Sequence, residues 1–348
     1  MHKKIISLAV TALASSGVFA QSNVTVYGLV DIGFAHYKSD GSKTVNAIDS
    51  SLSAGSRIGF KGTEDLGDGL KALFVLEYAL SNDTNAGLGA ASKWSGTVAR
   101  QQYVGLSSNY GTVMGGRLQG AAFKWACGYS HNTGGFFGTD MRLGALTNLT
   151  CASGGRLDNA VAYISPTFAG VTVELNHARV TEDGNPDNFT NTLGVTYAAG
   201  ALGIGAVYNQ VKRNEAVGTT AANDVAEYGI GASYDFEVVK LFATYASNKV
   251  QGSSADTKYQ LGASAPVSAK GVVSASYSAN DISGANKNST AWSVMYTHNL
   301  SKRSALYGGY VRTSNQSAAT RGVGSPTDAS PLSGGDSSGF AVGMRHSF

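Results

Sequence analysis

The sequence predicts an all-β fold, a 16-stranded antiparallel transmembrane β-barrel with short turns at one end and long loops at the other. Three observations predict it. Apolar residues recur with a period of two in segments of about ten residues, the length that crosses a bilayer at a tilt. The links between these segments alternate short and long. After the N-terminal segment no run of 18 apolar residues occurs, so any crossing must be made by strands.

Residues 1–20 read as a secretory signal peptide. His2, Lys3 and Lys4 make a positive start, residues 5–18 are largely apolar, and Val18-Phe19-Ala20 sets small residues where a signal peptidase reads. An N-terminal membrane helix is the alternative, disfavoured because the run is short and ends in a cleavage pattern. The barrel domain is then 21–348.

In the first strand Val24, Val26, Gly28, Val30, Ile32 and Phe34 share one face, with Thr25, Tyr27, Leu29, Asp31 and Gly33 on the other. Ala72, Phe74, Leu76, Tyr78 and Leu80 alternate with Lys71, Leu73, Val75, Glu77 and Ala79. Similar rows are Leu193/Val195/Tyr197, Leu202/Ile204/Ala206/Tyr208, Tyr228/Ile230/Ala232/Tyr234, Val239/Leu241/Ala243/Tyr245 and Trp292/Val294/Tyr296. Many end in tyrosine, as lipid-facing strands do at headgroup level. A soluble sandwich is the alternative, but it rarely needs so many strands of this length.

Short links lie near 64–69, 108–111, 167–170, 198–201, 235–238, 266–271 and 299–304. Long ones lie near 38–53, 82–96, 119–156, 181–189, 214–225, 249–256, 282–288 and 315–336. Seven short and eight long links give sixteen strands with both termini on the short-turn side, the outer-membrane arrangement. In 340–348 the even positions form an apolar row that stops on Phe348, an ending common in outer-membrane barrels.

Composition excludes several classes. Charged residues are 14%, against about 25% in soluble domains. The 45 glycines follow no three-residue period, and a 43% hydrophobic content argues against disorder. The net charge of +3 falls to +1 without Lys3 and Lys4, which leaves no basic face for nucleic acid. The histidines at 2, 36, 131, 177, 298 and 346 lack metal-ligand spacing. Neither a phosphate-binding glycine loop nor a Ser/His or Asp/His set at the rim is found, so the sequence gives no sign of an enzyme, a metal or another cofactor. Gly203/Gly205 and Gly229/Gly231 fall on inward faces, where they leave room in the lumen or ease strand curvature.

Five segments carry a family resemblance. They are Val26-Tyr27-Gly28-Leu29-Val30-Asp31, Ser56-Arg57-Ile58-Gly59-Phe60-Lys61-Gly62-Thr63-Glu64-Asp65-Leu66, Arg100-Gln101-Gln102-Tyr103-Val104-Gly105-Leu106, Tyr110-Gly111-Thr112-Val113 leading into Gly116-Arg117, and the final Gly343-Met344-Arg345-His346-Ser347-Phe348. In order and spacing the chain resembles the general trimeric porins of Gram-negative bacteria, nearest their β-proteobacterial branch. The resemblance implies periplasmic short turns, extracellular long loops and a third loop folded into the barrel. It also implies a homotrimer in outer-membrane lipid and lipopolysaccharide, passing ions and small hydrophilic solutes by diffusion. A substrate-selective channel of the same fold, or a non-conducting receptor or adhesin barrel, is the alternative function.

In this family the narrowest zone sets wall arginines against carboxylates on the third loop. Arg57, Arg100, Arg117 and Arg156 match the wall positions. Leu29 stands where some relatives have a wall lysine. Alternation sets Arg57 and Lys61 opposite Ile58 and Phe60, and Arg100 opposite Tyr103. Arginine or lysine facing lipid at mid-membrane costs roughly 2–4 kcal/mol, so these side chains are expected to face water. Lumen residues without a selective role are the alternative, strongest for Arg117. Asp31 and Glu77 face the lumen by alternation. The third loop holds Gly134-Gly135-Phe136-Phe137-Gly138-Thr139-Asp140, like the family's loop tip, with Asp140 beside Lys124 and Arg142.

Cys127 and Cys151 both lie in this loop, and two cysteines within one exported segment predict a disulfide, two unpaired thiols being the alternative. The surplus of cations near the constriction predicts a modest anion preference. Asp40, Asp49, Asp83, Asp183, Asp187, Asp256 and Asp328 on outer loops oppose it. The first five strands and the last are expected to hold the trimer, with Ile32, Phe34 and Phe60 outward and small Gly28, Gly62 and Gly105 letting walls approach.

Overall fold

The structure, a computed structural model, describes residues 23–84, 88, 99–129, 135–143, 148–152, 155–179, 188–213, 223–323 and 331–348. The expected signal peptide and Asp183, Asp187 and Asp328 lie outside them. The strands are β1 (Asn23–Ser39), β2 (Val45–Ser50), β3 (Arg57–Gly67), β4 (Leu70–Ala79), β5 (Ala99–Ser108), β6 (Gly111–Gln119), β7 (Arg156–Ile164), β8 (Val171–Arg179) and β9 (Phe189–Ala199). They continue with β10 (Leu202–Lys212), β11 (Val225–Asp235), β12 (Lys240–Val250), β13 (Asp256–Pro266), β14 (Gly271–Asp281), β15 (Ser289–Asn299), β16 (Ser304–Asn315) and β17 (Ser337–Ser347). Among the described residues two helices, α1 (Ala121–Tyr129) and α2 (Thr139–Arg142), lie between β6 and β7. Among the described residues no helix is long and apolar enough to cross a membrane.

Neighbours pair antiparallel around the sheet, and β1 closes it on β17 from Leu29↔Ser347 to Ser39↔Ser337. The second edge of β1 is shared: residues 23–29 pair with β3 and residues 32–37 with β2. Thus β2 and β3 form one wall strand interrupted by residues 51–56, and the barrel has sixteen staves. The expected first long link at 38–53 is corrected here, since 45–50 belongs to the wall. Val45 and Ala47 pack inward while Ile48 is 60% exposed, but Asn46 and Asp49 break the apolar row that would have revealed the strand.

The apolar rows point out and are exposed: Val26 at 53%, Ile230 at 55%, Val294 at 42%. A sandwich would bury them, so these rows are the lipid face. Outward tyrosines form a girdle, with Tyr228 beside Tyr245, Tyr259 beside Tyr277 and Trp292 beside Tyr310. Much of the buried apolar side-chain volume sits inside the barrel, where Phe136, Phe137, Trp125 and Leu149 of the β6–β7 loop pack on the wall. Fully burying a phenylalanine is worth about 1.5–3 kcal/mol, so the loop has its own reason to fold inward.

Two expectations about faces are overturned. On β5 the exposed residues are Val104 and Leu106, while Tyr103 packs with Leu118 and Ala160 on the inner side. Gly105 shares the face of Tyr103 and is not on the outer surface. Gly28 and Gly62 do lie outward, but a Cβ at either would stand 2.4 Å from the ring of Phe348 or Phe74. Their space is filled by this chain's own rings and is not open to a neighbouring wall.

Candidate pore constriction

The wall cations gather on neighbouring staves from β3 to β7. Arg57 opens β3 on the face of Leu29 and donates from Nη1 to the Gly55 carbonyl at 2.9 Å. Glu77 on β4 is the hub. It accepts from Arg100 Nε at 2.7 Å and from the Tyr27 hydroxyl at 3.0 Å, and Arg57 Nε stands 3.7 Å away. Lys61 lies over the Tyr27 ring at 5.2 Å, with the ring itself seated against Gly59. Arg156 lies over the ring of Phe123 of α1 at 4.7 Å, and its Nε has no hydrogen-bond partner among the described residues.

Alternation alone would send Arg100 out beside Val104, opposite Tyr103. A bulge prevents this. Glu77 pairs with Gln101 and Tyr78 with Ala99, so Arg100 is the extra residue and swings in to Glu77. Arg117 sits at a second irregularity, between Gly116↔Ala160 and Leu118↔Leu157. Its Nε donates to the Ala99 carbonyl at 2.7 Å and its Nη1 pairs with Asp158. Arg117 is therefore placed beside the row with its charge matched, apart from the Glu77 hub.

Opposite this row the β6–β7 loop follows the inner wall. Asn176 Oδ1 accepts the Ala121 N–H at 2.7 Å and so caps the start of α1. Lys124 of that helix pairs with Glu174 at 2.7 Å. Further along, the Phe136 N–H donates to the Leu52 carbonyl at 2.6 Å, while Phe136 and Phe137 pack with Tyr37, Leu52, Tyr307 and Val311. Thr139 bonds Gln260, Ser276 and Ser278, and Lys258 donates to the Asp140 carbonyl at 3.2 Å. Asp140 is buried against β13 and β14. It does not project from the loop toward the arginines. Cys127 and Cys151 are bonded, which ties the end of α1 to the returning arm. The side chain of Arg142 lies outside the described residues.

The barrel has counterparts among known proteins. The model of the Gram-negative porin family matches residues 7–318. The chain belongs to the Gram-negative porin family. Outer membrane porin protein 32 of Delftia acidovorans is 34% identical over the full length of both chains. An outer membrane porin protein of Bordetella pertussis is 28% identical, again over the full length of both chains. Among solved structures, an anion-selective porin from Comamonas acidovorans superposes with a TM-score of 0.80 at 28% identity, over 94% of this chain and all of that one. The porin is thus a multi-pass outer-membrane protein that forms a passive, water-filled channel.

Several residues of the porin's site escape sequence reasoning. The inward glycines are sockets for the loop. A Cβ at Gly205 would stand 2.2 Å from the Tyr129 ring, and at Gly229 2.6 Å from the Trp125 ring. Trp125 Nε1 donates to the Gly205 carbonyl at 3.1 Å, which places α1 flat on β10 and β11. Glu227, fully buried, is a second omission; its signal is an inward carboxylate on the glycine face of β11. Asp31 does face inward but is also fully buried, so it is no free lumen charge.

Proposed function

We propose that ions and small hydrophilic solutes pass between the Arg57–Arg100–Arg156 wall and the inward loop, with a modest preference for anions. One observation carries this reading. Arg57, Lys61, Arg100 and Arg156 share a wall with Glu77 as the carboxylate among them, while the loop's Asp140 is buried on the other side. Low-dielectric walls focus the field of such a row, and basic rings favour anions. Solvent and salt keep the preference modest, since screening sets in beyond about 8 Å at physiological ionic strength. The porin from Comamonas acidovorans that superposes on this chain is anion-selective, which supports the same direction.

The test is the reversal potential of purified protein in a planar bilayer under a potassium chloride gradient. Anion preference is expected. Cation preference that persists in Asp140→Asn overturns the reading. The same reading includes a homotrimer in outer-membrane lipid and lipopolysaccharide, built on the outer faces of β1–β6 and β17, where Val26 and Val104 are exposed. Native mass measurement in mild detergent showing monomer alone refutes it. Residues 1–20 are removed on export, and N-terminal sequencing of the mature protein is expected to begin at Gln21. The reading needs no catalysis and no cofactor, and among the described residues no group of histidine, cysteine or carboxylate side chains could hold a metal ion.

A further inference from the structure

Asp31 on β1 and Glu227 on β11 are fully buried carboxylates inside the barrel that stand apart from the arginine row, nearly across the barrel from one another. Asp31 Oδ1 accepts the Leu52 N–H at 3.1 Å and the Tyr307 hydroxyl at 2.6 Å. Its Oδ2 accepts the N–H groups of Ser53 at 3.0 Å and Ala54 at 2.8 Å. These three backbone donors belong to the inward turn 51–56 that splits the second stave. The Leu52 carbonyl of that turn receives the Phe136 N–H of the constriction loop. Glu227 accepts the Asn148 N–H on both oxygens at 3.1 Å, with Asn209 and Asn248 amides at 3.0 and 3.2 Å. Asn148 lies on the arm by which the same loop returns to β7.

We infer that Asp31 and Glu227 are positioning residues that set the width of the pore, one holding the loop tip through the turn 51–56 and the other holding the returning arm. The chemistry is specific to a carboxylate. Two oxygens with several lone pairs accept from converging donors, and such charge-assisted bonds are about twice as strong as neutral ones. An amide of the same shape brings an NH2 group into a ring of donors. In Asp31→Asn the NH2 has one place to go. On the Oδ2 side it meets two backbone N–H groups, whereas on the Oδ1 side the Tyr307 hydroxyl can turn to accept it. That choice leaves the Leu52 N–H without a partner, and Leu52 is the residue that holds Phe136. In Glu227→Gln the Asn148 N–H keeps one of its two acceptor oxygens, and the new NH2 faces the amide of Asn209 or of Asn248; the oxygen of Asn209 is already engaged by Thr192 at 2.7 Å. A buried donor left unpaired is costly, so the loop shifts to find water.

The inference rests on the gap between loop and arginine wall being the narrowest passage. The test is liposome swelling with neutral sugars of graded size, alongside single-channel recording, for Asp31→Asn, Glu227→Gln and Arg57→Trp. Each clamp variant is expected to raise disaccharide entry relative to monosaccharide by roughly twofold, as a support loosened by a fraction of an ångström allows. Open-channel noise rises with it, and the reversal potential, which the lost carboxylate charge moves toward anions, is read separately from the sugar ratio. Arg57→Trp narrows the gap; it gives up the bond to the Gly55 carbonyl of the turn 51–56 but leaves every bond of Asp31 and Glu227 in place, and disaccharide entry falls. If it falls there while the clamp variants keep the wild-type sugar ratio, the positioning role is wrong and the gap reading stands. If Arg57→Trp leaves sugar entry unchanged, the gap reading and the inference fail together. A lower melting temperature with wild-type conductance and sugar ratio in the folded fraction assigns both carboxylates to barrel stability alone and overturns the inference.

Discussion

Arg57→Ala is the sharpest probe of the wall. Arg57 is the more exposed member of the Glu77 hub, with 29% of its side chain accessible against 11% for Arg100. An ion passing about 6 Å from one unit charge in water feels roughly 0.7 kcal/mol. A Debye length of about 8 Å reduces that to roughly 0.3 kcal/mol at physiological ionic strength. Losing one positive charge moves anions and cations by this amount in opposite directions, so their permeability ratio falls by a factor of about three. In 1 M salt the Debye length is about 3 Å and the factor shrinks to about 1.4. Glu77→Gln changes the charge by the same amount in the other direction, so selectivity for anions rises. The assay is the reversal potential at both salt concentrations. An unchanged ratio at the lower salt, or equal changes at both, refutes the argument that these side chains act on passing ions through a screened field.

The loop and rim offer further tests. Gly229→Leu drives a side chain into the Trp125 ring, where overpacking costs about 1–3 kcal/mol; α1 lifts, tryptophan fluorescence shifts and single-channel conductance changes. A thiol-blocking mass assay without reductant finds no labelled cysteine, and two labelled thiols would contradict the Cys127–Cys151 bond. At the extracellular end of β10 and β11, the hydrogen bond from Lys212 holds the Asp224 carboxyl below the usual carboxylate range. A lowered folded-state pKa means that this tie is intact above the ordinary carboxylate value and is lost as pH falls through the lowered one. A carboxyl titration by NMR shows the depression, and Lys212→Met abolishes it.

The barrel is legible because its signal is redundant. Row after row of apolar side chains with period two, from Val24 to Phe348, gives the same answer, and one misread face does not change it. Its weakest point is β2, where Asn46 and Asp49 interrupt the row and the pairing with β1 is visible only in three dimensions. The wall arginines are legible through cost, since a charge at mid-membrane must find water. The partners of those charges are not. That Glu77 joins Tyr27, Arg57 and Arg100 depends on register across three staves, and that Asp140 turns to β13 and β14 depends on where the loop lands. Alternation alone makes the inward glycines empty space, whereas they are the floor on which Trp125 and Tyr129 rest.

The irregularities opposite Glu77 and at Arg117 explain why composition and alternation give different pictures of the same site. A strict strand carries side chains to alternate faces, so Tyr103 and Arg100 cannot both face the lumen from one unbroken β5. The structure has both there, because the bulge opposite Glu77 adds one residue and reverses the parity beyond it. Without the bulge, Arg100 would face lipid at a cost of roughly 2–4 kcal/mol and Glu77 would lose its nearest cation. The bulge thus does two things at once, sparing the membrane a charge and giving the pore one. At β6 and β7 the second irregularity sets Arg117 against Asp158, so that a cation adjoining the row is neutralised by a neighbour. The charge that a passing ion meets is therefore fixed as much by strand register as by the number of arginines on the wall.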